Sequence, residues 1–462
     1  MVSQRRVGLE LEFPVVYTAT GLGMGHRTAE KVWRSFAARD TSWTLVRETV
    51  SGSVTGVTRT AGGTDEHIDS DTGVCTVEVS LQPQDSVGAA LQAAAPVLGL
   101  LQELLSEVGC TLLCTGIQPR TWFDSSHRTR KDWYVLLTRR WNLHHWNVPL
   151  ASHQVSVDVA AGEAVRVVNV LNGFAGVFAM LTACSPIAQG REHRWKEMRN
   201  WVWYERCRRV PAREARYTSN NIPDVPFADI GSYVEDFWDS HVYFLTDQKS
   251  SGYEVVGNTS FTEFLLARDP VWTRKGDGQY VRMAPERDML DKIHQYGWPA
   301  AKLHYSFGPG ADLDGVRAAL RERRIGPYFE EHAVRCYVEN RSCGVAPEGE
   351  EGVAAALTLG LVERLDDAEA LLRELAWNEW RRLWIHGSVH GLSDAPPRIH
   401  ALTGELLHVA ASGLRGRRAG EETHLEPLFP RWERRETPAD HMISAFRAGG
   451  VGRLLSEFGR TA

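Results

Sequence analysis

The chain has 462 residues, of which 43% are hydrophobic and 24% charged, and it carries a formal net charge of -6. This length supports a large core, and mild acidity without a polybasic tract excludes a surface made for nucleic acid or an anionic membrane. The first residues lack a charged-then-apolar leader pattern, and the apolar stretch 164–186 is interrupted by Arg166, Asn169 and Asn172, so no membrane span is expected and the expected location is cytoplasmic.

Residues 5–14, RRVGLELEFP, predict a strand with Leu9, Leu11 and Phe13 on one face and Glu10 and Glu12 on the other. Two carboxylates on one strand face repel each other and resist desolvation, so they persist most readily around a cation. Oxygen-only donors suit a hard ion such as Mg2+. An edge strand with a solvated acidic face has the same pattern, and the motif gains weight only if other acidic strands converge on it.

A helix is expected over 28–39, then turns and short strands over 52–71. Residues 73–81, GVCTVEVSL, alternate as a strand whose polar face carries Glu78, with Asp71 just upstream. An ordinary amphipathic strand reads the same way. Residues 85–108 predict a long helix capped by Asp85 or Ser86, and 111–116 a strand. The segment 118–146 is irregular and aromatic, with Trp122, Trp133, Tyr134, Trp141 and Trp146 pinning a long connection or covering a ligand. In 153–159, HQVSVDV, the row Gln154, Ser156, Asp158 alternates with valines, and His153 falls on the valine side.

A helix over 163–183 ends at Pro186, and a second is expected over 190–208, dense in Arg and Trp. There Arg199 lies between Trp195 and Trp203, and arginine suits a bidentate grip on phosphate or carboxylate. A helix running into a strand is expected over 227–244, a strand then a helix over 255–266, and a helical segment over 285–296. Residues 333–341, AVRCYVENR, place Arg335, Tyr337, Glu339 and Arg341 on one strand face, either as a plain salt bridge or as a metal ligand beside a phosphate-binding cation. From 352 onward the chain reads as helical, with runs to 383, over 401–414 and over 439–458. The expected division is 1–350 and a helical region 351–462 packed on the same domain, with 344–352 as the hinge.

Taken in order, GLELEFP at 8–14, Asp71-x6-Glu78, GIQPR at 116–120, DWY at 132–134 and QVSVD at 154–158 resemble the glutamate-cysteine ligase superfamily. So do CSPIAQGR at 184–191, Trp195-x3-Arg199-x3-Trp203, YVENR at 337–341 and the tail motifs at 411–428 and 437–440. The resemblance is to the plant and actinobacterial type of these carboxylate-amine ligases. It implies an α+β, glutamine synthetase-like fold: a curved antiparallel sheet forming a funnel, surrounded by helices. It implies ATP as co-substrate, two or three Mg2+ ions, small-molecule substrates, and is compatible with a homodimer. Carried over by position, Glu10, Glu12, Asp71, Glu78 and Glu339 would be metal ligands. Gln154 and Asp158 would line the nucleotide or metal side, and Arg199 and Arg341 would hold phosphate or substrate carboxylate.

The default substrates implied are the glutamate gamma-carboxylate and cysteine. SDTGVCTV stands where an EPGGQ run is usual, and SCGVAP follows Arg341 where an acidic residue is common. Both departures fall near the expected substrate pocket, which leaves another amino acid and amine as the alternative. A non-catalytic nucleotide-binding relative and an ATP-independent amidohydrolase or transferase are the other classes considered.

Overall fold

The computed structural model describes residues 4–49, 51–121, 125–140, 147–209, 222–240, 242, 244–246, 252–291 and 298–461. Trp122, Trp141, Trp146, the side chain of Trp133 and the end of the segment expected to be helical over 285–296 lie outside the described residues.

In chain order the strands are β1 (Val7–Tyr17), β2 (Thr44–Arg47), β3 (Val54–Ala61), β4 (Thr64–Ser70), β5 (Thr76–Ser80), β6 (Cys110–Leu112) and β7 (His153–Asp158). A two-stranded hairpin follows, β8 (Ile187–Ala188) and β9 (Arg191–Glu192). Next comes a separate four-stranded sheet, β10 (Phe244–Thr246), β11 (Gly252–Val255), β12 (Val271–Lys275) and β13 (Tyr280–Met283). The last two strands, β14 (Ala301–Phe307) and β15 (Ala333–Asn340), return to the main sheet.

That main sheet has the order β14-β15-β7-β1-β5-β4-β3-β2, with β6 pairing the far end of β1, and every pairing is antiparallel. The α+β architecture expected from the sequence is therefore present, with β1 at the centre. Val7, Leu9, Leu11 and Phe13 turn into the core, while Glu10 and Glu12 share the opposite face. Helices His26–Arg39, Val87–Glu107, Ala164–Gly173 and Val353–Glu363 pack against this sheet, and one apolar cluster runs from Val7 to Leu454. Val87–Glu107 is long and apolar enough to cross a membrane by length and composition; here Ala94, Leu98, Leu101 and Leu105 lie in that core. Its N-cap is Ser86, whose Oγ accepts from Ala89 N at 3.1 Å.

Several expectations need correction. The single helix over 163–183 is two, Ala164–Gly173 and Ala175–Thr182, bent by 49°. Tertiary packing decides this: a Cβ at Gly176 would fall 2.4 Å from Leu383 C, and one at Gly387 2.4 Å from Gly176 O, so the second helix lies directly against Trp377–His390. The helix expected over 190–208 begins only at Met198. Gln189 and Gly190 have positive φ and turn the β8–β9 hairpin, and the Glu197 carboxylate then accepts from Cys184 N (2.9 Å) and Ser185 Oγ (2.8 Å), pinning the approach. Residues 352–383 form Val353–Glu363, Leu365–Leu372 and the start of Trp377–His390, and Pro438–Phe458 is kinked at Gly449 and Gly450.

Candidate active site

The polar face of the main sheet is built by register. On β1, Glu12 stands opposite Glu78 of β5, and Glu10 opposite Gln154 of β7. One strand further out, Asp69 of β4 faces Glu78. On the other side, Glu339 of β15 faces Ser156 of β7 and Lys302 of β14, and Tyr337 faces Asp158 and His304. Antiparallel pairing puts directly opposite residues on the same face, so strands remote in sequence bring their acidic and basic groups to one surface.

Glu10, Glu12 and Glu78 each offer an oxygen within 4.8 Å of the others. At that separation and an effective dielectric of about 20, two unit charges repel by roughly 3.5 kcal/mol. Burial, and then the charges of Glu78, Glu339 and Glu12, raise the Glu10 carboxyl well above its ordinary range. Burial followed by Asp69 and Asp71 does the same to Glu78, and burial followed by Asp71 brings Glu12 up to about 7. Glu12 is nonetheless firmly placed: Oε2 accepts from Ser152 N (2.6 Å) and Oγ (3.0 Å), and Oε1 accepts from Gln154 Nε2 (2.9 Å). Three oxygen-only donors in a mutually repelling group, one of them firmly oriented, fit a hard divalent cation.

Glu339 is outside this triad and behaves differently. Burial works against its charge, but Arg341 and His304 outweigh it and hold the carboxyl well below the usual range. Arg341 Nη1 lies 3.1 Å from Oε1, and His304 Nε2 lies 3.1 Å from Oε2. Lys302 is 3% exposed, and burial pulls its ammonium down to about 7 against the attraction of Glu339. Arg341 Nε and Gln154 Oε1 are buried without a hydrogen-bond partner, as expected where a ligand supplies the missing contacts.

Beside Glu10 and Glu339 is a cavity of about 270 Å3, lined in part by Ser156, Asp158, His304 and Tyr337. The His304 and Tyr337 rings stack with centroids 4.8 Å apart and an interplanar angle of 6°, and Asp158 accepts from Arg6 Nε at 2.9 Å. Asp71 lies at the opposite end, where its Oδ1 accepts from Tyr134 Oη at 2.7 Å, and it does not belong to the triad.

Arg199 is placed otherwise than expected. Its guanidinium is 3% exposed and donates from Nη1 to Arg341 O (3.1 Å) and from Nη2 to Cys343 O (3.2 Å), with Nε 3.4 Å from Glu197 Oε1. It is held in place, as the flanking tryptophans imply, but its donors go to the backbone that follows β15 and not to an open phosphate or carboxylate site, and Trp195 packs on Tyr204. Sequence reasoning missed Lys302, His304, Asp69 and Lys131. The first two had a signal, since Lys302, His304 and Ser306 alternate with Leu303, Tyr305 and Phe307. Asp69 and Lys131 had none without the pairing of β4.

The structure is similar to the glutamate–cysteine ligase of Francisella tularensis solved in complex with AMP, with a TM-score of 0.54 and 12% sequence identity over 98% of this chain and 87% of that one. It is also similar to a bifunctional glutathione synthetase from Pasteurella multocida, at a TM-score of 0.48 and 10% identity, covering 98% of this chain and 51% of that one. A comparison with curated proteins finds no match. The model of glutamate-cysteine ligase family 2 (GCS2) matches residues 6–457, nearly the whole length. On that match the chain belongs to glutamate-cysteine ligase family 2, a family of carboxylate-amine ligases.

Proposed function

We propose that this protein is an ATP-dependent, ADP-forming carboxylate-amine ligase whose metal ligands are Glu10, Glu12 and Glu78. The observation that carries the reading is the triad of mutually repelling carboxylates, flanked by Lys302 on β14 and by Arg341 just after β15. The substrate carboxylate attacks the gamma-phosphate of ATP, ADP leaves, and an amine then displaces phosphate from the acyl phosphate to give an amide. No side-chain nucleophile is required. Bound Mg2+ would neutralise phosphate charge, which is the largest electrostatic demand of phosphoryl transfer.

The remaining work falls to the chain's own residues. Ser152 and Gln154 orient Glu12, and Glu339 aims Arg341 while Arg199 fixes the backbone beneath it. Arg341 and Lys302 meet the anionic oxygens of phosphate and acyl phosphate; Asp158 and Ser156 line the adjoining cavity of about 270 Å3, where part of the nucleotide would sit. Glu339 and Asp71 stand at either side of the triad, where they would supply further ligands to a bound ion if released from Arg341 and Tyr134.

The default acid and amine are glutamate, through its gamma-carboxylate, and cysteine, with a different amino acid and amine as the alternative. The substrates are taken to be small molecules and the setting cytoplasmic. The test is ADP release from ATP and Mg2+ over a panel of acids and amines, singly and in pairs, with Glu78→Gln and Glu10→Gln as controls. Release that needs one acid and one amine and is lost in both variants supports the ligase and names its substrates. Binding of Mg-ATP without turnover on any pair supports the nucleotide-binding alternative, and ATP-free amide hydrolysis would overturn the reading.

A further inference from the structure

On the edge of β1 away from β5, the ladder changes partner at the level of Glu12. Leu11 still pairs with His153 of β7, and Glu12 N donates to Ser152 O at 3.1 Å; then Pro14 O accepts from Leu113 N at 2.8 Å, and β6 pairs from Val15 onward. Only the β5 ladder runs past Glu12 unbroken. Directly after Glu12 comes Phe13, fully buried on the core face. Two groups back its ring. His153 meets it edge-on with centroids 5.1 Å apart, and the guanidinium carbon of Arg460 lies 5.3 Å from the ring centre. His153 in turn follows Ser152, which donates twice to the Glu12 carboxylate.

Arg460 is itself fixed on two sides. Beyond the helix Pro438–Phe458 the chain lies along β6 and the residues after it, with Arg460 N donating to Leu112 O (2.9 Å) and Cys114 N donating to Phe458 O (2.8 Å). The guanidinium pairs with Glu351 and lies 3.9 Å from Glu348, whose carboxylate also accepts from Thr461 Oγ1 at 3.2 Å. With the side chains of Arg460 and Glu351 only 13% and 10% exposed, this is an interior ion pair set against an aromatic ring.

We infer that Arg460 is a positioning residue for the metal site: by backing Phe13 where β1 passes from β7 to β6, it holds Glu12 and Ser152 at the spacing that binding of a divalent ion requires. The inference rests on the triad being a metal site. A small octahedral ion tolerates little error in its ligands, and the groups that support a ligand govern affinity along with the ligand itself. Without the guanidinium, Phe13 loses one of its two backing groups, and Glu12 shares any shift of the backbone that follows.

Titration of the nucleotide-free protein with Mn2+, read by the loss of the free-ion resonance, gives the dissociation constant that tests this. Arg460→Met is expected to raise it about tenfold, the scale of a lost supporting contact. Arg460→Lys, which returns a cation to Phe13 and Glu351, is expected to restore it to within about twofold of the parent. Glu351→Gln, a milder change that keeps an acceptor for Arg460, should raise it about threefold. Arg453→Met breaks an exposed ion pair with Glu457 on the preceding helix and should leave the constant unchanged. A lowered Tm in Arg460→Met with the dissociation constant of the parent overturns the inference and leaves the triad standing, because Arg460 would then serve stability alone. If Arg460→Met does not fold, an unchanged constant in Glu351→Gln overturns it equally. No Mn2+ bound by the unmodified protein overturns the triad reading, and the inference with it.

Discussion

Replacing Glu12 by Gln is expected to stabilise the metal-free protein and to blunt its response to Mg2+. Burial, then Asp71, raises the Glu12 carboxyl from 4.5 to about 7, so the native state keeps its proton in a range where the unfolded chain has lost it. Stability from this group is therefore greatest below the unfolded value and declines as pH rises through about 7. The full penalty, reached near pH 8, corresponds to about 3 kcal/mol. Glutamine removes the charge and keeps most of the bonding. Its oxygen accepts from Ser152, and a turn of the Gln154 amide brings that residue's orphaned Oε1 to accept from the new NH2. The bond from Ser152 to the charged form is already counted in that shift, so the net gain stays at about 3 kcal/mol. In a chain of this size that is a rise in Tm of roughly 3 °C. Calorimetry in EDTA at pH 5 and pH 8, repeated with Mg2+, provides the comparison. The gain should appear at pH 8 and nearly vanish at pH 5, and Mg2+ should raise the Tm of the parent more than that of the variant. A variant that melts below the parent at pH 8 in EDTA refutes the reasoning, because the bonds from Ser152 and Gln154 would then outweigh the cost of the buried charge.

Other outcomes follow from single positions. Lys302→Met should lower kcat for ADP formation by about 100-fold, the scale of one lost electrostatic stabiliser, while leaving the urea midpoint unchanged or raised, since the ammonium is buried. His153 is 1% exposed, and burial pulls its imidazole down to about 4. The unfolded chain takes up that proton first, so stability falls by about 3 kcal/mol as pH drops from 6.5 to 4. His153→Asn, which keeps an acceptor for Ala346 N, should flatten that limb in urea titrations at pH 7 and pH 5. Gly56→Ala should cost about 2 kcal/mol by chemical denaturation, because its Cβ must displace β3 from Asp69. Arg199→Met should be more costly, about 3–5 kcal/mol, because it leaves Glu197 charged at 1% exposure beside carbonyls that have lost their donor.

The parts of the site legible in the sequence are those written as alternation on one strand. Glu10 and Glu12 between Leu9, Leu11 and Phe13, Glu78 among valines, and Glu339 and Arg341 beside Cys336 and Val338 all take the faces their pattern gives them. What failed was whatever depends on a neighbour. Asp69 lies in a stretch rich in Thr and Gly that reads as turns and short strands without a clear alternation, and only its pairing with Glu78 gives it meaning. Arg199 reads as a cation positioned to hold phosphate or carboxylate, but its donors are used by carbonyls more than 140 residues later in the chain. The bend between Gly173 and Ala175 is likewise imposed by contacts made by Leu372 and the helix Trp377–His390. The strand Ala301–Phe307 is the instructive omission, since its alternation was readable and it contributes both Lys302 and His304.

The strand order also governs how the protein comes off the ribosome. β7 joins the sheet against β1, but its other edge is completed only by β15, whose first residue is Ala333. At synthesis rates of about 5–20 residues per second, the valine-rich strand His153–Asp158 therefore waits roughly ten seconds or longer with one ladder of N–H and C=O groups unpaired. An open edge of that kind is a template for pairing with another chain. Fragments that stop before Ala333 should accordingly aggregate even though they contain all three carboxylates of the triad, and slowing translation across that interval should increase the demand for chaperones.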